Sequence, residues 1–174
     1  MNIENHKYHH GNLRDEILSA AYNFVLENGY AAMSLRSIAE NCNVSATAIY
    51  RHYKTKEHLL ADVVVKGFIE FNLFVEGDSE ANIFDKCDNY LEFAFDNKNI
   101  YDLLFSQSVV EFLQFPNILE VADSSFQTLL ESVKEHDRSL NDLSASNKAI
   151  HIWSFLHGIS CLLYTSPSPR DISR

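Results

Sequence analysis

Apolar residues recur every three or four positions over most of this 174-residue chain. That spacing places them on one face of an α-helix. The pattern predicts helices over 13–28, 35–41, about 46–54, 55–74, 83–97, 100–115 and 118–136, and a last helix that contains residues 150–157. Pro116 should end the helix over 100–115, and Ser144 or Ser146 should cap the last helix. The predicted inner faces contain Leu13, Ile17, Ala20, Ala21 and Phe24 in the first helix, and Ile83, Phe84, Cys87, Tyr90, Leu91, Ala94 and Phe95 in the helix over 83–97. The chain has only 5 Gly and 3 Pro, which favours long helices over a turn-rich β architecture. We therefore expect an all-α fold.

The segment from Ser34 to Lys56 has the pattern of two short helices joined by a tight turn. Ser34, Ser45 and Thr55 each precede a helical pattern, where a side-chain oxygen can cap free backbone N–H groups. The polar turn falls at 41–44. In the second helix, Ala48, Ile49 and Tyr53 share one face, and the opposite face carries Thr47, Tyr50, Arg51 and Lys54.

The opposite face carries a hydroxyl, a phenol and two cations but no carboxylate, in a chain whose formal net charge is -10. Such a face suits a major groove, which is lined by phosphates and base edges. The alternative is a three-helix unit that packs in this way and does not touch DNA. The predicted phosphate contacts are Arg36 and Lys56, with Ser34 and Ser45 at helix N-termini; the predicted base contacts are Thr47, Tyr50, Arg51 and His52, of which Tyr50 and His52 have phosphate as an alternative; Lys54 shares the face.

Several stretches in this region resemble the helix-turn-helix of the TetR family of transcriptional regulators. They are Leu35-Arg36-Ser37-Ile38-Ala39, Val44-Ser45, Ala48-Ile49-Tyr50-Arg51-His52-Tyr53 and Lys54-Thr55-Lys56-Glu57-His58-Leu59-Leu60, within a match that runs from Leu13 to Leu60. The resemblance implies a ligand-responsive repressor that binds a palindromic DNA operator as a homodimer. It also implies a three-helix head joined by a long helix to a C-terminal helical bundle.

The charges support a division into head and body. Residues 1–58 carry six basic and six acidic side chains, whereas residues 59–160 carry six and seventeen. The neutral head can approach DNA, and the acidic body should point away from it. We therefore predict a DNA-binding domain over 1–58 and a ligand-binding and dimerisation domain over 59–160.

Residues 1–12 include Lys7 and three histidines. They are either a basic arm that reaches the minor groove or a frayed terminus, and the sequence leaves both open. No carboxylate or cysteine accompanies these histidines at ligand spacing, and the three cysteines of the chain are isolated. We therefore predict no metal site, disulfide framework or cofactor. The lack of a signal-like or bilayer-spanning apolar run favours the cytoplasm and no membrane partner.

The body is rich in aromatic residues, since eleven of the twelve Phe and the single Trp lie between 59 and 160. This composition fits a pocket for an apolar or aromatic inducer, and it equally fits an aromatic core. The run 153–158, WSFLHG, resembles the Trp and His-Gly signature of one C-terminal domain type of the TetR family. The candidate ligand contacts are Phe105, Phe112, Trp153 and His157, and for the last two the alternative is a packed Trp beside a hydrogen-bonded core His.

The segment 161–174, CLLYTSPSPRDISR, contains Pro167 and Pro169 and cannot continue a helix through them. It resembles the in-frame translation of a sequencing adapter, so we predict a non-native tail and a natural protein that continues beyond Ser160. The body would then be truncated at its C-terminus. In the TetR family the last helices form most of the dimer interface, which leaves dimerisation of this chain itself open.

Two other functions remain as alternatives. An activator or accessory regulator of the same fold would use the same DNA chemistry. A helical bundle that binds a ligand but not DNA is the other. An enzyme is disfavoured, because the sequence shows no nucleophile with a partnered base, no metal cluster and no Gly-rich phosphate loop, and hence no catalytic residues.

Overall fold

A computed structural model describes residues 13–105 and 115–165, with side chains up to residue 162. These residues form eight α-helices, one 3₁₀ turn and their connections, which confirms the predicted all-α fold. The helices are α1 (Leu13–Asn28), α2 (Leu35–Asn41), α3 (Ala46–His52), α4 (Lys56–Glu76), α5 (Ile83–Asp96), α6 (Lys98–Phe105), α7 (Pro116–His136) and α8 (Asp142–Thr165), and the 3₁₀ turn is Tyr30–Ala32. The predicted arm at 1–12, Phe112 and the tail from 166 lie outside the described residues.

Helix α1 supports the head and also contacts the body. It packs against α2 on one side and against α4 and α6 on the other. This double contact explains why Tyr22 and Val25 are buried although the sequence pattern did not select them. Leu13, Ala20 and Phe24, which were predicted to lie on the inner face, are only half-buried.

Helix α4 joins the head to the body, as the sequence predicted. Thr55 caps its first turn, and its side chain accepts a hydrogen bond from the backbone N–H of His58. The helix ends at Gly77, whose φ of 68° lies in the left-handed region that favours glycine. Because α4 packs against α1, α5, α6 and α7, a tilt of α4 moves the head relative to the body.

The inner face of α5 differs from the predicted one. Phe84 and Phe95 are 66% and 48% exposed, whereas Phe93 is buried. Around the helix axis, Phe84 and Phe95 lie about 100° and 120° from Ile83, and Phe93 lies about 80° from Ile83 on the other side, where Tyr90 also lies. That other side faces α4, where the ring of Phe93 contacts the ring of Phe71 at 5.2 Å.

Two helix boundaries also differ from the predicted ones. Pro116 was predicted to end a helix over 100–115, but it is the first residue of α7, where its fixed φ and its missing N–H are tolerated. The residues 106–114 of that predicted helix lie outside the described ranges. Helix α8 is capped by Asn141, whose Oδ1 accepts a hydrogen bond from Ser144 N–H at 2.9 Å, and not by the predicted Ser144 or Ser146.

One buried cluster continues from the head into the body. It contains Ile17 and Ile49 of the head together with Phe71 and Leu104 of the body, and a smaller cluster around Val133 and Ala149 lies at the far end. Head and body therefore share a core. Among the helices described, none is long and apolar enough to cross a membrane.

Candidate nucleic-acid interface and ligand cavity

Helix α3 is held against the head by its cap and by two buried side chains. The Oγ of Ser45 accepts a hydrogen bond from Ala48 N–H at 3.2 Å. Ile49 and Tyr53 are 0% and 2% exposed, as predicted for the inner face. Asn43 completes the turn before α3 with a φ of 54°, a conformation that Asn adopts more readily than most residues. The opposite face of α3 consequently points to solvent.

That outer face matches the sequence prediction in position. Thr47, Tyr50, Arg51 and His52 are exposed on α3, and Tyr50 is 55% accessible. Lys54 is also exposed, but it lies beyond the end of α3 at His52 and not on the helix, where the sequence pattern had placed it. Helix α3 itself contains no acidic residue. With respect to the described part of the chain, Arg51 and Lys54 form no hydrogen bond or ion pair. Their charges are thus available to an external anion.

The remaining predicted phosphate contacts lie beside this face, and some already have partners. Ser34 and Ser37 form a reciprocal cap at the start of α2, with Ser37 N–H donating to Ser34 Oγ at 3.1 Å. Arg36 pairs with Glu40 of the same helix at 3.2 Å, and both side chains are largely exposed. Such an exposed pair is weak and can yield to phosphate. Lys56 donates to the carbonyl of Ala31 at 3.4 Å, so a phosphate would compete with that contact.

A polar cluster that the sequence did not reveal fixes the end of α3. The Tyr53 hydroxyl donates to Asp62 Oδ2 at 2.9 Å, and an Arg14 guanidinium N–H donates to the same oxygen at 2.9 Å. The Arg14 guanidinium also lies 5.5 Å from the centre of the Tyr53 ring. Burial is the main reason why the pKa of Tyr53 is raised to about 12. The cluster joins α1, the C-cap of α3 and α4.

The body encloses a mostly apolar cavity of about 690 Å³ between α4, α5, α6, α7 and α8. This volume is within the range of small-molecule sites, which is about 300–1,000 Å³. Three of the four candidate ligand residues, Phe105, Trp153 and His157, line the cavity. The fourth, Phe112, lies outside the described residues.

His157 belongs to a hydrogen-bonded chain in the cavity wall. Its Nδ1 lies 2.8 Å from the Tyr101 hydroxyl, which lies 2.9 Å from the Tyr90 hydroxyl. Trp153 stacks on the imidazole with ring centres 5.9 Å apart. Burial lowers the pKa of His157. His157 therefore both lines the cavity and forms a hydrogen bond within its wall. Its contact with a ligand stays a prediction.

Among the described residues that line the cavity, one carries an ammonium group, and it is Lys86. Lys86 Nζ donates to Glu76 Oε1 at 2.9 Å and to Ser132 Oγ at 3.2 Å. Its side chain is 12% exposed. Sequence reasoning missed Lys86, because a single lysine on an amphipathic helix gives no signal that it lines a cavity.

Helix α6 carries the cavity wall to the head. Asn99 donates to the carbonyl of Leu26 in α1 at 2.9 Å. Helices α4 and α6 are so close at Gly67 that an added Cβ would lie 3.0 Å from Leu104 Cδ2, and Leu104 also lines the cavity. A change in the cavity thus has a packed route to α1. No group of three potential metal-ligating side chains comes together in the described ranges.

A helix-turn-helix head with a solvent-exposed cationic helix, joined by one long helix to a body with an apolar cavity, defines a class of two-part helical regulatory proteins. The chain belongs to the TetR family. The family model described as bacterial regulatory proteins, tetR family, matches residues 17–63. The model for the tetracyclin repressor-like C-terminal domain matches residues 83–172. The family prediction is therefore confirmed, while its Trp and His-Gly subtype stays a prediction.

The second match extends into the segment predicted to be a non-native tail, whose origin stays a prediction. The domain bounds 1–58, 59–160 and 161–174 likewise stay predictions.

The relatives agree with this family. The transcriptional repressor KstR of Rhodococcus jostii strain RHA1 is 33% identical over 55 residues, which are 32% of this chain and 26% of KstR. The chain thus matches about a quarter of that relative's length.

Solved structures share the fold. A protein of unknown function from Rhodococcus sp. RHA1 superposes with a TM-score of 0.74 and 22% identity, over 94% of this chain and 91% of that one. BioQ, solved with its natural double-stranded DNA operator, superposes with a TM-score of 0.60 and 14% identity, over 84% of each chain.

Proposed function

We propose that this chain is a DNA-binding transcriptional regulator, a repressor that acts as a homodimer on a palindromic operator and responds to a small molecule. The observation that carries the proposal is the outer face of α3. It presents Arg51 on a helix that has no acidic residue, with Lys54 just beyond the end of that helix, in a chain of net charge -10. A cationic surface of this kind has little use in an acidic protein unless it meets a polyanion.

The roles of the head residues follow from their position. Thr47, Tyr50 and Arg51 project from the first two turns of α3, the part of a recognition helix that reaches base edges. We assign phosphate contacts to Arg36, Lys54 and Lys56, and to Ser34 and Ser45 at helix N-termini, while His52 serves either a base or a phosphate. BioQ, which has the same fold, was solved with its DNA operator, and this supports DNA binding by the fold.

A homodimer is expected because the DNA surface that a single head can contact is small. One head reads too few base pairs for useful specificity, and two heads need half-sites about 34–36 Å apart. Helix α8 exposes Leu143, Ile150 and Phe155, apolar side chains that a second copy can cover.

The cavity supports the response to a small molecule. A ligand there touches α4 directly, and it touches α6, which packs against α1. Binding favours a body conformation in which the two heads no longer match the operator spacing.

Salt-dependent DNA binding tests the proposal. An operator can be selected from a random duplex library, and affinity can then be measured at several salt concentrations. Arg51→Ala and Tyr50→Ala should each weaken binding by about tenfold or more while leaving the thermal midpoint nearly unchanged. Arg138→Ala, which removes an exposed cation from the body, is the matched control and should bind like the wild type.

Wild-type affinity in both head variants would contradict the assignment of α3 as the recognition helix. No binding to any duplex at low salt would instead favour a ligand-binding bundle without DNA binding, which the cavity also fits. An activator uses the same DNA contacts and differs only in the position of its operator.

A further inference from the structure

The cavity is apolar except at a few places, and most of its polar groups already bond to one another. The Ser125 hydroxyl donates to Asn72 Oδ1 at 2.5 Å, and Asn72 donates to the carbonyl of Val121. The side chains of Tyr90, Tyr101 and His157 likewise form hydrogen bonds with one another. These groups therefore offer a ligand few free donors.

Lys86 is the exception. An ammonium group has three N–H donors. Two of them reach Glu76 and Ser132, and the third has no acceptor among the described residues. The carboxylate partner, Glu76, is half exposed at the last residue of α4 and can turn to water. Lys86 can thus accept a second anion from inside the cavity.

The rest of the cavity suits an apolar molecule. Phe68 and Phe105 contact each other edge to face, with ring centres 5.7 Å apart. Phe68 lies about 12 Å from Glu76 along α4, given the rise of a helix. Phe71, Tyr90, Phe126 and Trp153 add aromatic surface between the two ends.

We propose that the cavity binds an apolar monocarboxylic acid, whose carboxylate bonds to Lys86 and whose hydrocarbon part extends toward Phe68 and Phe105. This inference rests on the proposed ligand-binding role of the cavity and names the chemical class of the ligand.

Other ligand classes fit the lining less well. A phosphate monoester carries more charge than one ammonium neutralises, and Lys86 is the single Lys or Arg among the described lining residues. A lipophilic cation would be attracted by the aromatic rings and by the exposed carboxylate of Asp123, which also lines the cavity, but it would be repelled by the less exposed Lys86. A neutral molecule would leave the third N–H of Lys86 without a charged acceptor, and charge-assisted hydrogen bonds are roughly twice as strong as neutral ones.

Trp153 provides the measurement, because it lines the cavity and is the only Trp in the sequence. Its fluorescence can be titrated with dodecanoic acid, dodecanol and dodecylamine, which share one chain and differ in the head group. The acid should bind about tenfold more tightly than the alcohol, and the amine should bind most weakly.

Four variants test whether the preference for the acid depends on Lys86. Lys86→Gln should reduce the affinity for the acid to that for the alcohol, and Lys86→Arg should restore the preference. Glu76→Gln should strengthen acid binding several-fold, because it removes the competing carboxylate, and should leave alcohol binding unchanged. Lys134→Gln is the matched control, since Lys134 pairs with Asp142 away from the cavity.

Equal affinity for acid and alcohol in the wild type would overturn the inference, as would an acid preference that survives in Lys86→Gln or the absence of binding by all three probes. The titration contains no DNA, so failure of the head to bind DNA leaves this result intact. A chain that binds DNA but shows no acid preference would overturn this inference alone.

Discussion

The hydroxyl of Tyr53 donates a hydrogen bond of 2.9 Å to the carboxylate of Asp62, which joins the residue after α3, the proposed recognition helix, to the second turn of α4. Arg14 of α1 donates to the same oxygen. Because these three side chains come from three parts of the chain, they fix the angle between α3 and α4. Any motion of α4 is therefore passed to α3.

Tyr53→Phe tests this connection. The variant keeps the buried ring and loses the hydroxyl, so the free energy of unfolding should fall by about 1 kcal/mol. DNA affinity should fall as well, because α3 is less firmly oriented. Chemical denaturation and DNA titration measure the two effects. Tyr50→Phe is the control for stability, since the Tyr50 ring is exposed, and an equal loss of stability in both variants would contradict the role of the Tyr53 hydroxyl.

The helix-turn-helix could be predicted because its signals are local. Ser34, Ser45 and Thr55 act as caps within three residues of their partners. The faces of α3 follow from a period that seven residues are enough to define. Local signals of this kind survive folding unless a distant contact opposes them.

The assignment of the two faces of α3 can be tested with one substitution on each. Ile49→Asp places a carboxylate where the side chain is 0% exposed, which should cost about 4 kcal/mol or more and unfold the head. Thr47→Asp places the same carboxylate on the outer face. It should leave the helical circular dichroism unchanged and abolish DNA binding by repulsion of phosphate. Retained helicity and DNA binding in Ile49→Asp would show that the faces are wrongly assigned.

The features that the sequence did not predict depend on distant contacts. Arg14 and Asp62 are 48 residues apart, and nothing in the pattern pairs them. Phe84 and Phe93 of α5 are equally apolar, and only the position of α4 decides which of them is buried. Lys86 in isolation resembles any surface lysine, so its place in the cavity needs the packed body.

Replacement by alanine should change the stability of the protein differently at the two described glycines that lie within helices. At Gly158 a Cβ meets nothing within 4 Å, so Gly158→Ala should stabilise α8 by about 0.5–1 kcal/mol. At Gly67 a Cβ would lie 3.0 Å from Leu104 Cδ2 and 3.3 Å from Ile100 Cγ2. Gly67→Ala should therefore gain less than Gly158→Ala or lose stability. Equal gains in thermal unfolding would mean that α4 and α6 are not closely packed at Gly67.

The burial of His157 predicts a loss of stability in mild acid. Its ordinary pKa is 6.5, and burial lowers the pKa of the folded state. As the pH falls below about 6.5, the unfolded chain takes up a proton that the folded chain resists, so the free energy of unfolding decreases. Protonation would also prevent Nδ1 from accepting a hydrogen bond from the Tyr101 hydroxyl, which lies 2.8 Å away.

His157→Gln removes the titrating ring and keeps an acceptor for Tyr101. The free energy of unfolding, measured by circular dichroism between pH 7.5 and about 5, should fall less steeply in this variant than in the wild type. The difference between the two curves isolates His157, because the other charges of the chain change equally in both. His151→Gln, an exposed histidine of the same helix, should keep the wild-type slope. If His157→Gln also kept it, the imidazole would not be held neutral by the cavity wall, and its hydrogen bond to Tyr101 would carry no pH-dependent stability.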